Sequence, residues 1–170
     1  TVNDVDVLIE SDDAGSAITA AISSLPDVGG EIVLMHGNYP IATTIQHNKS
    51  NVVMRGMGKA TRLYRAADIP YVIVILANAN GTKYCNMCVD GTRESYDTWD
   101  YTNFEVSCSE CSMDGVFCYN SGGHGIKLSR LEYDFAFSGG GVDNCGNCGI
   151  GHTGTSGTPK TTLIVRDTSI

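Results

Sequence analysis

One six-residue word recurs down the chain with a common grammar: NVVMRG at 51–56, NMCVDG at 86–91, ECSMDG at 110–115 and DFAFSG at 134–139. The last three copies begin 24 residues apart, and the first begins 35 residues before the second, which leaves room for one loop insertion. Self-similarity at a period in the twenties is the mark of a solenoid, in which each repeat buries its apolar face only against the next.

Within each word the second and fourth positions are large and apolar: Val52 and Met54, Met87 and Val89, Cys111 and Met113, Phe135 and Phe137. Side chains alternate along a strand, so these share one face while the small or polar residues between them share the other. Each word closes on Gly56, Gly91, Gly115 or Gly139, where a residue tolerant of positive φ lets the strand turn a corner. A second word keeps the same period: YNSGGHGI at 119–126 and DNCGNCGI at 143–150 align Asn120 with Asn144 and Ile126 with Ile150. Strand, corner, strand at about 24 residues per turn describes an all-β, single-stranded parallel β-helix.

At 170 residues, 42% hydrophobic and 18% charged, the chain suits one domain, 1–170, with a sizeable core. The net charge of -8 with no basic cluster argues against a nucleic-acid partner. No apolar stretch approaches the length of a membrane span, so no membrane insertion is expected, and neither a leader nor a lipidation signal is visible.

Ahead of the repeats, residues 1–10 contain an apolar alternation that reads as an entry strand. Asp12 and Asp13 then cap a helix over about 12–26, whose residues Ala14, Ala17, Ile18, Ala21, Ile22 and Leu25 make one apolar stripe before Pro26 ends it. Such a helix would cover the open bottom of the first coil. Strands are expected at about 31–35, 39–46 and 51–55, and Tyr71–Ala77 is the most apolar strand. Residues 92–102 and 151–160 break the pattern as loops, the former expected to project, and a further coil starts over 161–165. No second cap is visible at the C-terminal end, so the coil is expected to continue beyond residue 170 or to be covered by a partner chain.

The opening segment resembles the start of the pectate-lyase-like right-handed parallel β-helix superfamily. The resemblance is carried by Ala17, Ile18, Ala21 and Ile22 in the helix, then by LPDVGGEIVLMHGNYPI from Leu25 and SNVVMRGMGKATRL from Ser50. It spans about residues 12–64 and is greatest to the β-helical tail proteins and tailspikes of phages and prophages. The resemblance implies a protein of the virion tail or the extracellular space, assembled in a host cytoplasm. It further implies homotrimers that bind, and in some members cleave, host cell-surface polysaccharide, with other tail proteins as further partners. Because one scaffold hosts many activities, it assigns no catalytic residue here.

The 24-residue register would stack Asp90 above Asp114 on the outer face, about 4.8 Å apart, near the roughly 5 Å separation of a retaining glycosidase pair. These are the catalytic candidates; each Asp also precedes a corner glycine, where it would simply satisfy the turn, and a calcium site from the same carboxylates is a further option. Three C-x-x-C spacings, Cys85 with Cys88, Cys108 with Cys111 and Cys145 with Cys148, would signal metal or redox chemistry. On strands, residues three apart point oppositely, which puts Cys85 and Cys111 inward and Cys88 and Cys108 outward, as unpaired thiols. Only Cys145 and Cys148, with His124 one coil away, can share a side, for zinc or a strained disulfide. No metal site and no cofactor is assigned, and the four histidines fall into no Ser, His and Asp set.

Glycan binding needs an aromatic platform beside polar groups. Arg93, Glu94, Tyr96, Trp99 and Tyr101 supply one, a trimer contact being the alternative use for the same loop. Three functions are therefore carried forward. The first is a phage or prophage tail-associated structural and receptor-binding β-helix contacting host polysaccharide; the others are a polysaccharide lyase or glycoside hydrolase and a filament-forming structural subunit.

Overall fold

Alternating apolar runs of three to five residues, broken by glycine or asparagine, cannot make long strands, and the chain winds instead. The computed structural model describes residues 12–129, 134–153 and 163–166. Strands β1 (Gly30–Val33), β2 (Gly37–Ile41) and β3 (Ile45–His47) form the first coil, and β4 (Val52–Arg55), β5 (Thr61–Arg65) and β6 (Tyr71–Ile75) the second. The third coil is β7 (Lys83–Asp90) and β8 (Thr102–Val106), and the fourth β9 (Cys111–Tyr119) and β10 (Ile126–Leu128). β11 (Phe135–Ser138), β12 (Gly141–Asp143) and β13 (Ile150–His152) make the fifth, after which β14 (Leu163–Arg166) begins another. The expected strand at 39–46 is two strands with a corner between them. The entry strand expected over 1–10 lies outside the described residues, as does most of the loop expected over 151–160.

Pairing is parallel throughout and builds three faces. The first runs β1-β4-β7-β9-β11-β14 and the third β3-β6-β8-β10-β13. The second is formed by β2, β5, the later halves of β7 and β9, and β12. Inward residues stack from coil to coil: Met54, Tyr84, Met113 and Phe137 on the first face, Leu63, Val89, Cys118 and Val142 on the second, Ile45, Ile73, Phe104 and Ile126 on the third. All are buried. Tyr84 meets Phe104 edge to face across the interior at 5.2 Å between centroids, and its hydroxyl lies 2.8 Å from His47 Nδ1.

The register between the third and fourth coils departs from the expected 24. Asp90 pairs with Tyr119 and Cys85 with Asp114, an offset of 29. Asp114-Gly115 therefore occupies the corner held by Cys85-Asn86 in the coil below, and Asp90-Gly91 lies one corner further on. Asn86, with φ of 51°, turns the corner that Gly115 and Gly139 turn with φ of 65° and 62°. Asparagine enters the left-handed region more readily than other side chains, which is why no glycine is needed there. The 24-residue offset does hold from the fourth coil to the fifth, in Asp114 with Ser138 and Ile126 with Ile150.

This register reorients the cysteines. With Tyr84 and Met87 both inward across the Asn86 corner, Cys85 and Cys88 both face outward, so the inward placement expected for Cys85 is wrong. Cys108 is wrong in the other sense: it lies in the turn between β8 and β9 rather than on a strand, and it joins Cys111 in the core. These two thiols are hydrogen-bonded, which holds Cys108 below the ordinary thiol range and, with burial, pushes Cys111 well above it. All seven cysteines are free.

The helix α1 (Ala14–Ser24) closes the bottom of the coil. Ile18 and Ile22 enter the core, and the extended Leu25 before Pro26 ends the helix. Asp13 accepts from Gly15 N at 3.0 Å and Ser16 N at 3.3 Å as the helix N-cap, and from Ala42 N at 2.9 Å and Thr43 N at 3.3 Å in the first coil. Burial alone would raise its carboxyl, but hydrogen bonds from Thr43, Ser16, Ala42 and Gly15 outweigh it and hold the group far below the ordinary carboxylate range. Gly15 lets the helix lie against the Thr43 carbonyl, where a Cβ would collide.

Candidate functional site

The 92–101 loop leaves the second face and enters the third, and both of its ends are tied to buried charge. At its start Asp90, 2% exposed, pairs with Arg62 of β5, whose Nε and Nη2 both donate to the one oxygen Oδ2. Its other oxygen accepts from Thr92 N at 2.8 Å and Asn120 Nδ2 at 3.2 Å. Asn144 Nδ2 donates in turn to Asn120 Oδ1 at 2.6 Å, so the two aligned asparagines form a ladder that ends on Asp90.

Beneath the loop lies Arg65. It follows Ile41 in the inward stack and is 1% exposed, and its guanidinium donates to the carbonyls of Gly91 at 3.2 Å and Thr102 at 3.1 Å. Tyr101 covers it with its ring, 4.7 Å from Arg65 Cζ. Burial draws this guanidinium down to about 10 against the opposing influence of Asp68 and Tyr96, so it remains a cation at neutral pH. Thr92 Oγ1 donates to the Arg65 carbonyl at 2.8 Å, fixing the turn at which Thr92 adopts φ of 46°.

The upper side of the loop lies against the glycines of the fourth coil. Gly123 N donates to the Tyr101 carbonyl at 2.6 Å. A Cβ on Gly122 would stand 2.5 Å from the Thr98 carbonyl oxygen, and one on Gly123 would run into that of Trp99. Arg93 pairs with Asp97 at 2.8 Å. The expected projecting loop is thus laid down along the wall. Tyr96 and Tyr101 are half-buried, Glu94 is exposed, and the Trp99 ring is 64% exposed.

Beside the loop, the outer side of the third face carries a polar group that the sequence did not reveal. Lys127 Nζ lies 3.8 Å from Glu105 Oε1 and 5.6 Å from the centre of the Tyr71 ring, and Ser129 Oγ donates to the same Glu105 oxygen at 2.6 Å. Burial, then a hydrogen bond with Glu105 and the nearby charges of Glu105 and Asp100, push the Tyr71 hydroxyl up to about 12. Tyr71, Glu105 and Lys127 come together through offsets of 31 and 22 residues, which a uniform 24-residue period hides. Arg65 lies on β5, where no strand was expected.

The five loop residues expected to bind glycan therefore sit on one anchored segment, with Trp99 as its exposed ring. Asp90 and Asp114 are not brought onto one rung: Asp90 is tied to Arg62, while Asp114 faces solvent opposite Cys85 and accepts from Ser138 Oγ at 3.0 Å. Among the described residues no three His, Cys, Asp or Glu side chains are placed to hold a metal ion. Among them, too, no helix is long and apolar enough to cross a membrane.

No protein-family model and no curated protein matches this sequence. Two solved structures do. The A-module of the mannuronan C-5 epimerase AlgE4 from Azotobacter vinelandii superposes with a TM-score of 0.64 at 13% identity, over 89% of this chain and 52% of its own. ORF18 of Geobacillus virus E2 superposes with a TM-score of 0.58 at 17% identity, over 92% of this chain and 45% of its own. The chain has the parallel β-helix fold. At these identities the likeness speaks to the fold alone, and the β-helix spans about half the length of each protein it matches.

Proposed function

We propose that this β-helix is a structural and receptor-binding element of a phage or prophage tail, and that it contacts host-surface polysaccharide through the 92–101 loop. The carrying observation is Trp99: a large exposed ring on a loop that is held by Arg65, Gly122 and Gly123 and that leads into β8, whose Glu105 pairs with Lys127. An apolar ring takes the face of a sugar while a carboxylate and an ammonium group take its hydroxyls or an acid substituent. One fold neighbour is a viral protein and the other an epimerase named for mannuronan, which is consistent with a phage-tail or polysaccharide-related β-helix. In this proposal the assembly is a homotrimer in the virion tail, which sedimentation would report as one discrete species rather than an open polymer.

The test is affinity electrophoresis through gels containing capsular or uronic-acid polysaccharides. Retardation by at least one glycan, lost in Trp99→Ala with folding unchanged, is the expected result; equal mobility of the two proteins in every gel overturns it. The epimerase likeness favours a second reading, an enzyme acting on acidic polysaccharide. Turnover of such a polymer that is abolished by Asp90→Asn or Asp114→Asn would replace the binder with the enzyme.

A further inference from the structure

The glycine-rich corner at 144–149 brings a thiol and an imidazole together from adjacent coils. Cys148 Sγ lies 2.9 Å from His124 Nδ1, and the other ring nitrogen lies 3.2 Å from the Asn147 side-chain amide. Room for the pair comes from Gly151, whose Cβ would stand 2.9 Å from the sulfur and collide with the imidazole. Cys148 and His124 are each partly exposed, whereas five of the other six cysteines are buried. The sixth, Cys145, shares the corner but has a carbonyl in place of a base: its thiol donates to the Asp143 oxygen at 3.5 Å.

We infer that Cys148 is the reactive thiol of this chain, a nucleophile toward soft carbon and sulfur electrophiles, with His124 as its general base and Asn147 holding the ring. With the Asn147 amide turned so that its oxygen accepts from Nε2–H, the Nδ1 lone pair faces the thiol. As the sulfur attacks an alkyl iodide, its proton passes to Nδ1. The S–C bond forms while the C–I bond breaks, iodide departs, and the imidazolium returns its proton to water.

His124 is set for this role by its surroundings. Burial, and then Lys127 from β10, lower the imidazole below its ordinary value, with Asp100 from the loop opposing them. The ring is consequently neutral, and able to accept, down to pH values at which an unassisted thiol has nearly ceased to ionise. Burial and the Asp143 charge raise the Cys145 thiol, against a backbone hydrogen bond from Ser121, which makes it an internal reference of low reactivity.

The experiment is labelling of the native protein with iodoacetamide, read as a rate for each cysteine by peptide mass, between pH 6.5 and 8. Cys148 is expected to react first and to slow less than about three-fold across that range, whereas a free thiol slows about twenty-fold. His124→Gln should slow Cys148 about ten-fold or more at pH 6.5 and leave Cys145 unchanged. Asn147→Asp, which keeps the acceptor, should retain the rate that Asn147→Ala loses. A Cys148 no faster than Cys145, or one whose rate ignores His124→Gln, overturns the inference. If the His124 variant does not fold, the wild-type profile decides: a twenty-fold fall at Cys148 overturns it.

Discussion

Asp90 lies opposite Tyr119, and the cation that neutralises it is Arg62 from the coil below. Three elements meet on this one carboxylate: β5 through Arg62, the loop through Thr92 N and the fourth coil through Asn120. Asp90→Asn should therefore cost about 2 kcal/mol, below the usual cost of breaking a buried pair because Arg62 keeps access to water. Asp114→Asn, at an exposed position, should stay within about 0.5 kcal/mol of wild type. Urea unfolding of the two variants checks the contrast, and equal destabilisation would contradict it.

His47 predicts acid sensitivity. It is fully buried between Tyr84 Oη, the Lys49 carbonyl and Thr82 Oγ1, and desolvation, only partly offset by the Lys49 carbonyl, lowers it to about 4. The unfolded chain then binds the proton more tightly than the folded one, so stability is full above about pH 6.5 and falls as pH drops toward 4. The loss attributable to this residue is about 3 kcal/mol. His47→Gln should flatten unfolding free energy between pH 7 and 4.5; an unchanged slope would contradict the assignment.

Asp13 acts in a different window. Its folded carboxyl is depressed, so its contribution is present above the ordinary carboxylate range and is lost below about pH 4. Asp13→Ala should lower stability by about 1–2 kcal/mol at pH 7. Hydrogen exchange should quicken at Gly15 N and Ser16 N in the helix together with Ala42 N and Thr43 N in the first coil. Faster exchange in the helix alone would show that the bridge to the coil is unimportant.

The loop separates anchor from platform. Tyr101→Ala uncovers a buried guanidinium and should cost about 1–2 kcal/mol, while Trp99→Ala should leave stability within about 0.5 kcal/mol. Gly123→Ala places a methyl group against the Trp99 carbonyl and should shift the emission of this single tryptophan. An unchanged spectrum would mean that the loop does not rest on Gly123.

The fold was largely legible because the signals that define it are local. Inward positions such as Met54, Val89 and Phe137 alternate within single strands, and Asp13, Ile18, Ile22 and Pro26 mark the capping helix within one short stretch. The site was less legible because it depends on register between coils. Asp90-Gly91 and Asp114-Gly115 are the same dipeptide at different corners, and Asn86 fills a glycine's place without resembling one. Once the third coil gains residues in its loop, no fixed period pairs Tyr71, Glu105 and Lys127. Cys148 opposite His124 was readable because both lie where the 24-residue period holds.

Arg65 gives the loop a thermodynamic character. With Tyr101 stacked on a buried cation and Gly123 bonded to the Tyr101 carbonyl, the segment carrying Trp99 is already ordered before any ligand arrives. Under the proposed function, a sugar docking there would have no backbone left to immobilise, so little of its contact energy would be spent on conformational entropy. Weak individual contacts to a repeating polymer can then accumulate along a solenoid that does not have to change shape to receive them.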